Sequence, residues 1–201
     1  MNIFALDMSP KLSAQMMMDS HVIKMPTESM QMMSTIATHL GIENAPYKPV
    51  MLNHPCTIWA RQTSQNYQWL RKHCYFLCKE YTVRYGRKHK VEETLEEYAN
   101  VFNQVEDILP SGDMPDGLTP FGIAMSDRYR IGREPNENGF DFAVRSYRHY
   151  YLQGKWKISS WKTQEPEWWP KDHYLKMSFE MKSEQDNVQE RINKILEEMT
   201  E

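Results

Sequence analysis

The sequence predicts a mainly α-helical fold, a single-domain, bundle-like arrangement with long Pro/Gly-rich loops and a C-terminal amphipathic helix. Three observations lead there. Apolar residues recur at three- and four-residue spacing in most of the chain, as one face of a helix requires. Helix-start and helix-stop residues bracket those runs. Proline and glycine cluster between them, and no internal repeat is visible. The 201 residues suit one domain, expected over 1–177, with a helix over 178–201 packed on it or on a partner.

"NIFAL" (Asn2 to Leu6) is short and apolar and reads as an extended arm laid on the core. Ser9 and Pro10 then form an N-cap and first-turn pair, starting a helix expected to run to about Met25. Pro26 is expected to kink or break it, with a second helical run from Thr27 to Leu40 stopped by Gly41. Pro46, Pro49 and Pro55 mark an irregular loop. From Pro55 to Tyr85 the positions Ile58, Trp59, Tyr67, Leu70, Cys74, Leu77, Cys78 and Tyr81 predict the longest helix, with Asn53 as its cap and Gly86 as its stop. Residues 90–109 predict another, its acids outward. A short helical candidate at Thr119 to Asp127 interrupts a loop-rich stretch, and a further helix reaches about Leu152. "PEWWP" (Pro166 to Pro170) is irregular. Val188, Ile192, Ile195 and Met199 form the stripe of the last helix.

Composition excludes several classes. No run of about 18 apolar residues is present to span a membrane, and "MNIFALDMSP" has no secretory pattern; the expected location is cytoplasmic. Cys56, Cys74 and Cys78 are odd in number and lack a Cys-x-x-Cys pair, so reduced thiols are expected. His21, His54 and His89 show no metal-ligand spacing, and neither a metal nor a cofactor is expected. Gly-rich phosphate loops, dinucleotide fingerprints and Gly-x-Ser-x-Gly are all missing.

The net charge of −3 hides an uneven distribution. Arg61 to Lys90 holds eight Lys/Arg against Glu80, and Arg145 to Lys162 holds five with no acid. Val91 to Gly117 holds eight Asp/Glu and no Lys/Arg. One face can attract phosphate while another repels it.

The candidate chemistry follows from spacing. His21, Lys24 and Glu28 share a helix face, with Asp19 near enough to orient His21; this is either an acid-base set or a solvated polar stripe. His54 sits in the turn Asn53-His54-Pro55, as the rim of a site or as part of a helix start, and Arg61 extends the edge. Arg84 and Lys88 belong to a basic helix end that serves the helix dipole, phosphate or both. Arg145, Tyr147, Arg148, Tyr151 and Trp161 mix cations with aromatics, as surfaces that hold phosphate and stack on bases do. A half-buried helix has the same pattern.

"MNIFALD", "DSHVIKM", "NHPC", "EYTVRYG", "LTPF" and the aromatic segment to Trp169 together resemble a group of phage-encoded proteins. More distantly, their order is similar to the pyrimidine-dimer DNA glycosylase (endonuclease V) family. The matching layout is an N-terminal arm, a His-Pro turn (His54-Pro55) opening the middle helix, a basic stretch at its end and an aromatic segment after it. The resemblance implies a small helical enzyme acting on DNA or a nucleotide through N-glycosyl-bond chemistry, in host cytoplasm if phage-encoded. In that family the N-terminal α-amine attacks the sugar C1′ and a glutamate on the first helix assists. Here Asn2 follows Met1, and the first glutamate is Glu28, so Glu28 or Asp19 would carry the carboxylate role and Lys24 could replace the amine. The expected catalytic residues are then His21, Lys24, Glu28 and His54, with Asn53, Arg61, Arg84, Lys88, Arg145, Tyr147, Arg148, Tyr151 and Trp161 holding substrate. The alternative is a non-enzymatic phage protein that binds a host factor or nucleic acid, with the C-terminal helix engaging a protein partner.

Overall fold

The computed structural model describes residues 1–113, 117–170 and 188–189. Among them are seven α-helices and no strand: α1 (Pro10–Met16), α2 (Asp19–His39), α3 (Pro55–Ala60), α4 (Ser64–Tyr85), α5 (Lys90–Glu97), α6 (Ala99–Ile108) and α7 (Gly139–Tyr150). A π-turn over Tyr151–Lys155 and a 3-10 turn over Trp156–Ile158 continue α7. Residues 1–165 form one compact unit and 166–201 another. The expected C-terminal helix lies outside the described residues apart from Val188 and Gln189, which are helical. Among the described residues no helix is long and apolar enough to cross a membrane.

The core of the first unit lies where α1 and α2 pack on α4. Met17, Met18, Met25, Met30, Met32, Met33 and Ile36 on one side and Tyr67, Leu70, Cys74, Leu77 and Cys78 on α4 are all buried. Unbranched methionines fill such irregular interhelical gaps well. A second cluster joins Trp59, Trp69 and Phe121, with Trp69 and Phe121 centroids 4.8 Å apart.

Several helix boundaries differ from those expected, each for a tertiary reason. The first helix stops at Met16, because the carbonyl oxygens of Gln15 and Met17 accept from the Arg84 guanidinium and that of Met16 accepts from the Trp161 indole. Distant donors thus satisfy the end of α1, whose last carbonyls would otherwise be orphaned. Conversely, α2 runs unbroken through Pro26, which is buried against α4. The missing N–H removes one helical bond, and the Cys74 thiol donates to the Pro26 carbonyl at 3.5 Å; packing on both sides of the proline holds the helix together.

The long middle helix is divided at Arg61 to Thr63. Thr63 caps α4 by accepting from Asn66 N, and Asn66 turns its amide inward to Trp59 O and to both main- and side-chain groups of Thr119. The run over residues 90–109 divides at Tyr98. The backbone from Thr119 to Ser126 is not helical; a 3-10 turn begins only at Asp127. Ser9 does cap α1, and Gly86 ends α4 in the left-handed conformation at φ 68°.

Candidate active site

The N-terminal arm is fixed by its own side chains and by elements far along the chain. Asn2 Oδ1 accepts from the N–H groups of Ile3 and Phe4, and Asn2 Nδ2 donates to Ala124 O at 2.7 Å. Ser13 Oγ donates to Phe4 O and accepts from Leu6 N. Arg148 Nε donates to Leu6 O at 2.9 Å, and its guanidinium pairs with Asp7. Phe4, held at φ 41°, packs its ring 4.2 Å from the His21 ring in a stack and also meets Tyr147, Tyr150 and Tyr151. A short strained arm is thereby locked in one position.

That position brings the chain start to α2. The Met1 ammonium lies 3.6 Å from Glu28 Oε2, and Lys24 Nζ lies 2.8 Å from Glu28 Oε1. The Met1 side chain is only 3% exposed while the residue as a whole is half-buried, so its remaining exposure lies on the main chain. Glu28 Oε2 is sealed from solvent and meets no hydrogen-bond donor among the described residues. The result is a chain-start amine backed by a buried carboxylate.

His54 opens α3. Its Nδ1 accepts from Cys56 N at 3.2 Å, so His54 itself caps α3, in place of the expected Asn53, which is exposed beside it. Partial burial and then the Met1 ammonium push the His54 imidazole below its ordinary range, while Glu28 pulls it up. Both groups are therefore within electrostatic reach, and cap and site rim are one residue.

Beneath these lies a packed floor. Cys56 Sγ sits 3.9 Å from Asn2 Oδ1, 3.8 Å from Gly122 O and 3.7 Å from Tyr147 Oη. Burial pushes its thiol up to about 11, so it is inert at neutral pH. Gly122 must be glycine here, since a Cβ would come within 2.8 Å of Pro55 O and 2.9 Å of Trp59 Cβ.

The other expected residues are placed as follows. His21 is buried; its Nδ1 lies 2.6 Å from Tyr151 Oη, and burial with nearby Lys155 and Lys24 lowers it to about 3. It is a neutral wall under Phe4 at physiological pH. Asp19 does not orient it: Asp19 pairs with Arg84 at 3.0 Å and accepts from Ser160 Oγ and Lys162 N. Arg84, expected to hold phosphate, has a fully enclosed side chain bonded to Glu80, Asp19 and the end of α1. Tyr147 and Tyr151, expected to stack on a base, are wholly buried, with Tyr147 Oη donating to Gly122 O at 2.6 Å. The Trp161 indole is spent on Met16 O.

Arg145 is tied to Glu137 and Glu134. Arg61 ends α3 and is half-exposed, and Lys88 is exposed past Gly86. The structure thus pairs Glu28 with both Met1 and Lys24, leaves His54 under the electrostatic influence of Met1 and Glu28, and ties Arg84 and Arg145 into other ion pairs. No group of described residues could hold a metal ion.

Asn2, Phe4, Ser13 and Gly122 fix the arm and the floor beneath it, and the sequence alone does not single them out. An asparagine beside a chain start, followed by an aromatic, is their local signal; partners that give the arm its meaning, such as Ala124 and Arg148, lie more than a hundred residues away. No curated protein and no solved structure matches the chain. Residues 1–93, which supply Met1, Lys24, Glu28 and His54, match the family model described as pyrimidine dimer DNA glycosylase.

Proposed function

We propose that the protein is a DNA glycosylase with lyase activity, acting on damaged pyrimidines in duplex DNA through an imine formed on the Met1 α-amine. The observation that carries this reading is the pairing of the chain-start amine with the buried Glu28 carboxylate at 3.6 Å. The family match over the same residues supports it.

In this reading the unprotonated amine nitrogen bonds to the deoxyribose C1′ as the C1′–N bond to the base breaks. Electron-poor character develops at C1′ and its ring oxygen, and the Glu28 carboxylate stabilises it in a poorly solvated position, where a fixed charge acts strongly. Opening of the sugar ring leaves the positively charged imine next to the same carboxylate. His54, whose imidazole is shifted below its ordinary range by partial burial and the Met1 ammonium, is the group assigned to move a proton to or from the sugar as the neutral base. Lys24, 70% exposed at its side chain, contacts phosphate beside the site.

The test is borohydride reduction in the presence of an abasic-site duplex. A covalent protein–DNA adduct that maps to the N-terminal peptide is expected, and it persists in Lys24→Ala but is lost when residues are added ahead of Met1. An adduct that survives the extension and disappears in Lys24→Ala overturns the assignment of the nucleophile. Absence of any adduct, together with no release of base from ultraviolet-irradiated duplex, overturns the reading.

A further inference from the structure

The loop leading into α3 carries an apolar side chain turned mostly to solvent. Met51 is 57% exposed and its neighbour Val50 39% exposed, while the backbone of Met51 is held at φ 53°. An L side chain in the left-handed region crowds its own Cβ against the backbone. Such a conformation persists only where the surroundings fix it, and it marks functional positions often enough to ask why it is there.

The surroundings do fix it. Tyr47 N donates to Ser34 Oγ at 3.3 Å, and Val50 N donates to Thr35 Oγ1 at 2.9 Å. The same Thr35 hydroxyl lies 3.0 Å from Val50 O. On the other side, His54 N donates to Met51 O at 3.0 Å. Two hydroxyls of α2 and the first turn of α3 therefore clamp the chain on both sides of Met51, and leave its side chain projecting. This is an apolar side chain on a held backbone, bonded through Met51 O to the residue that caps α3.

An enzyme that attacks C1′ in a duplex must open the stack around the target nucleotide. Long apolar side chains such as methionine serve as wedges between base steps, and a wedge whose backbone is already held loses less freedom on insertion than one on a loose loop. Lys48, exposed three residues before Met51, and the exposed Lys24 provide cations for the flanking phosphates.

We infer that Met51 inserts into the base stack of duplex DNA beside the nucleotide presented to Met1. This deepens the glycosylase reading and rests on it for the position of the target, but insertion can be read without chemistry. The probe is a duplex with an unreactive tetrahydrofuran abasic analogue and 2-aminopurine as the adjacent base, whose fluorescence rises when it unstacks. Wild-type protein and Met51→Leu are expected to raise the fluorescence at saturation. Met51→Ala, at a surface position where folding is undisturbed, is expected to lose at least two thirds of the rise. On a reactive abasic duplex Met51→Ala is expected to form adduct at least tenfold more slowly, and on the single strand at the wild-type rate.

Adduct formation by wild type with an unchanged fluorescence rise in Met51→Ala overturns the wedge and leaves the glycosylase reading standing. A Met51-dependent rise without any adduct upholds the wedge and overturns that reading. A wild-type protein that binds the duplex with no rise overturns the wedge as well.

Discussion

The Met1 ammonium and Glu28 Oε2 are 3.6 Å apart, and the carboxylate oxygen has no other donor near it among the described residues. A buried oxygen left open toward an amine is positioned for a charge that appears next to it, so Glu28 is expected to act through charge rather than through shape. Glu28→Gln keeps the volume and the contact with Lys24 as a hydrogen bond but removes the charge. Adduct formation on abasic DNA is expected to fall by about 10² to 10⁴, while the thermal midpoint moves by only a few degrees. A loss of less than threefold would show that another group stabilises the developing cation.

His54 has two separable tasks. Its Nδ1 caps α3, and its imidazole feels the charges of Met1 and Glu28. His54→Ala removes both, and the lost cap is expected to cost about 1 kcal/mol of stability. His54→Asn restores a good capping acceptor without an imidazole. Urea unfolding of His54→Asn is expected to match wild type within about 0.5 kcal/mol, while its rate of adduct formation stays as low as that of His54→Ala. Recovery of the rate along with the stability would reduce His54 to a cap.

Arg84 joins three elements from one buried position. Its guanidinium meets Glu80, Asp19, Gln15 O and Met17 O, which link α4 to the end of α1 and the start of α2. Arg84→Met leaves two carboxylates and two carbonyls without their donor, an expected loss of about 3 to 5 kcal/mol. Lysine, with a single ammonium, cannot reproduce the fork, and Arg84→Lys is expected to recover less than half of that loss. Because Arg84 faces no ligand, any folded fraction is expected to bind DNA with the wild-type salt dependence.

These residues also indicate what a sequence displays and what it conceals. Ser9, Gly86 and the apolar periodicity of α4 act through neighbours within a few positions, so their roles are legible. The break after Met16 and the continuity through Pro26 depend on Arg84, Trp161 and Cys74, which arrive from other parts of the chain. Lys24, Glu28 and His54 carry enough chemistry to stand out. Arg84, Tyr147 and Tyr151 carry it too, yet burial gives them other tasks, and burial of a polar residue leaves little trace in local spacing. The arm's fixed path depends on Ala124, Arg148 and Tyr151, beyond the stretch that matches the family model.

Buried neutral histidines set the expected acid response. His73 is fully enclosed, stacks on Trp69 at 4.7 Å, and has no hydrogen-bond partner on either nitrogen among the described residues. Burial lowers it to about 3, as burial with two nearby lysines lowers His21. In the unfolded chain both return to about 6.5. Above that pH neither state holds the proton. Between about 6.5 and about 3 the unfolded state takes it up and the folded state does not. Stability is therefore complete above about 6.5 and falls as pH drops toward 3, each histidine contributing a slope of up to about 1.4 kcal/mol per pH unit. His73→Phe keeps the stack on Trp69 and removes two unsatisfied nitrogens. Urea unfolding at pH 7 is expected to show equal or higher stability, and the series from pH 7 to pH 4 a slope shallower by one histidine's share. Parallel curves for wild type and His73→Phe would mean that His73 takes up a proton in the folded protein.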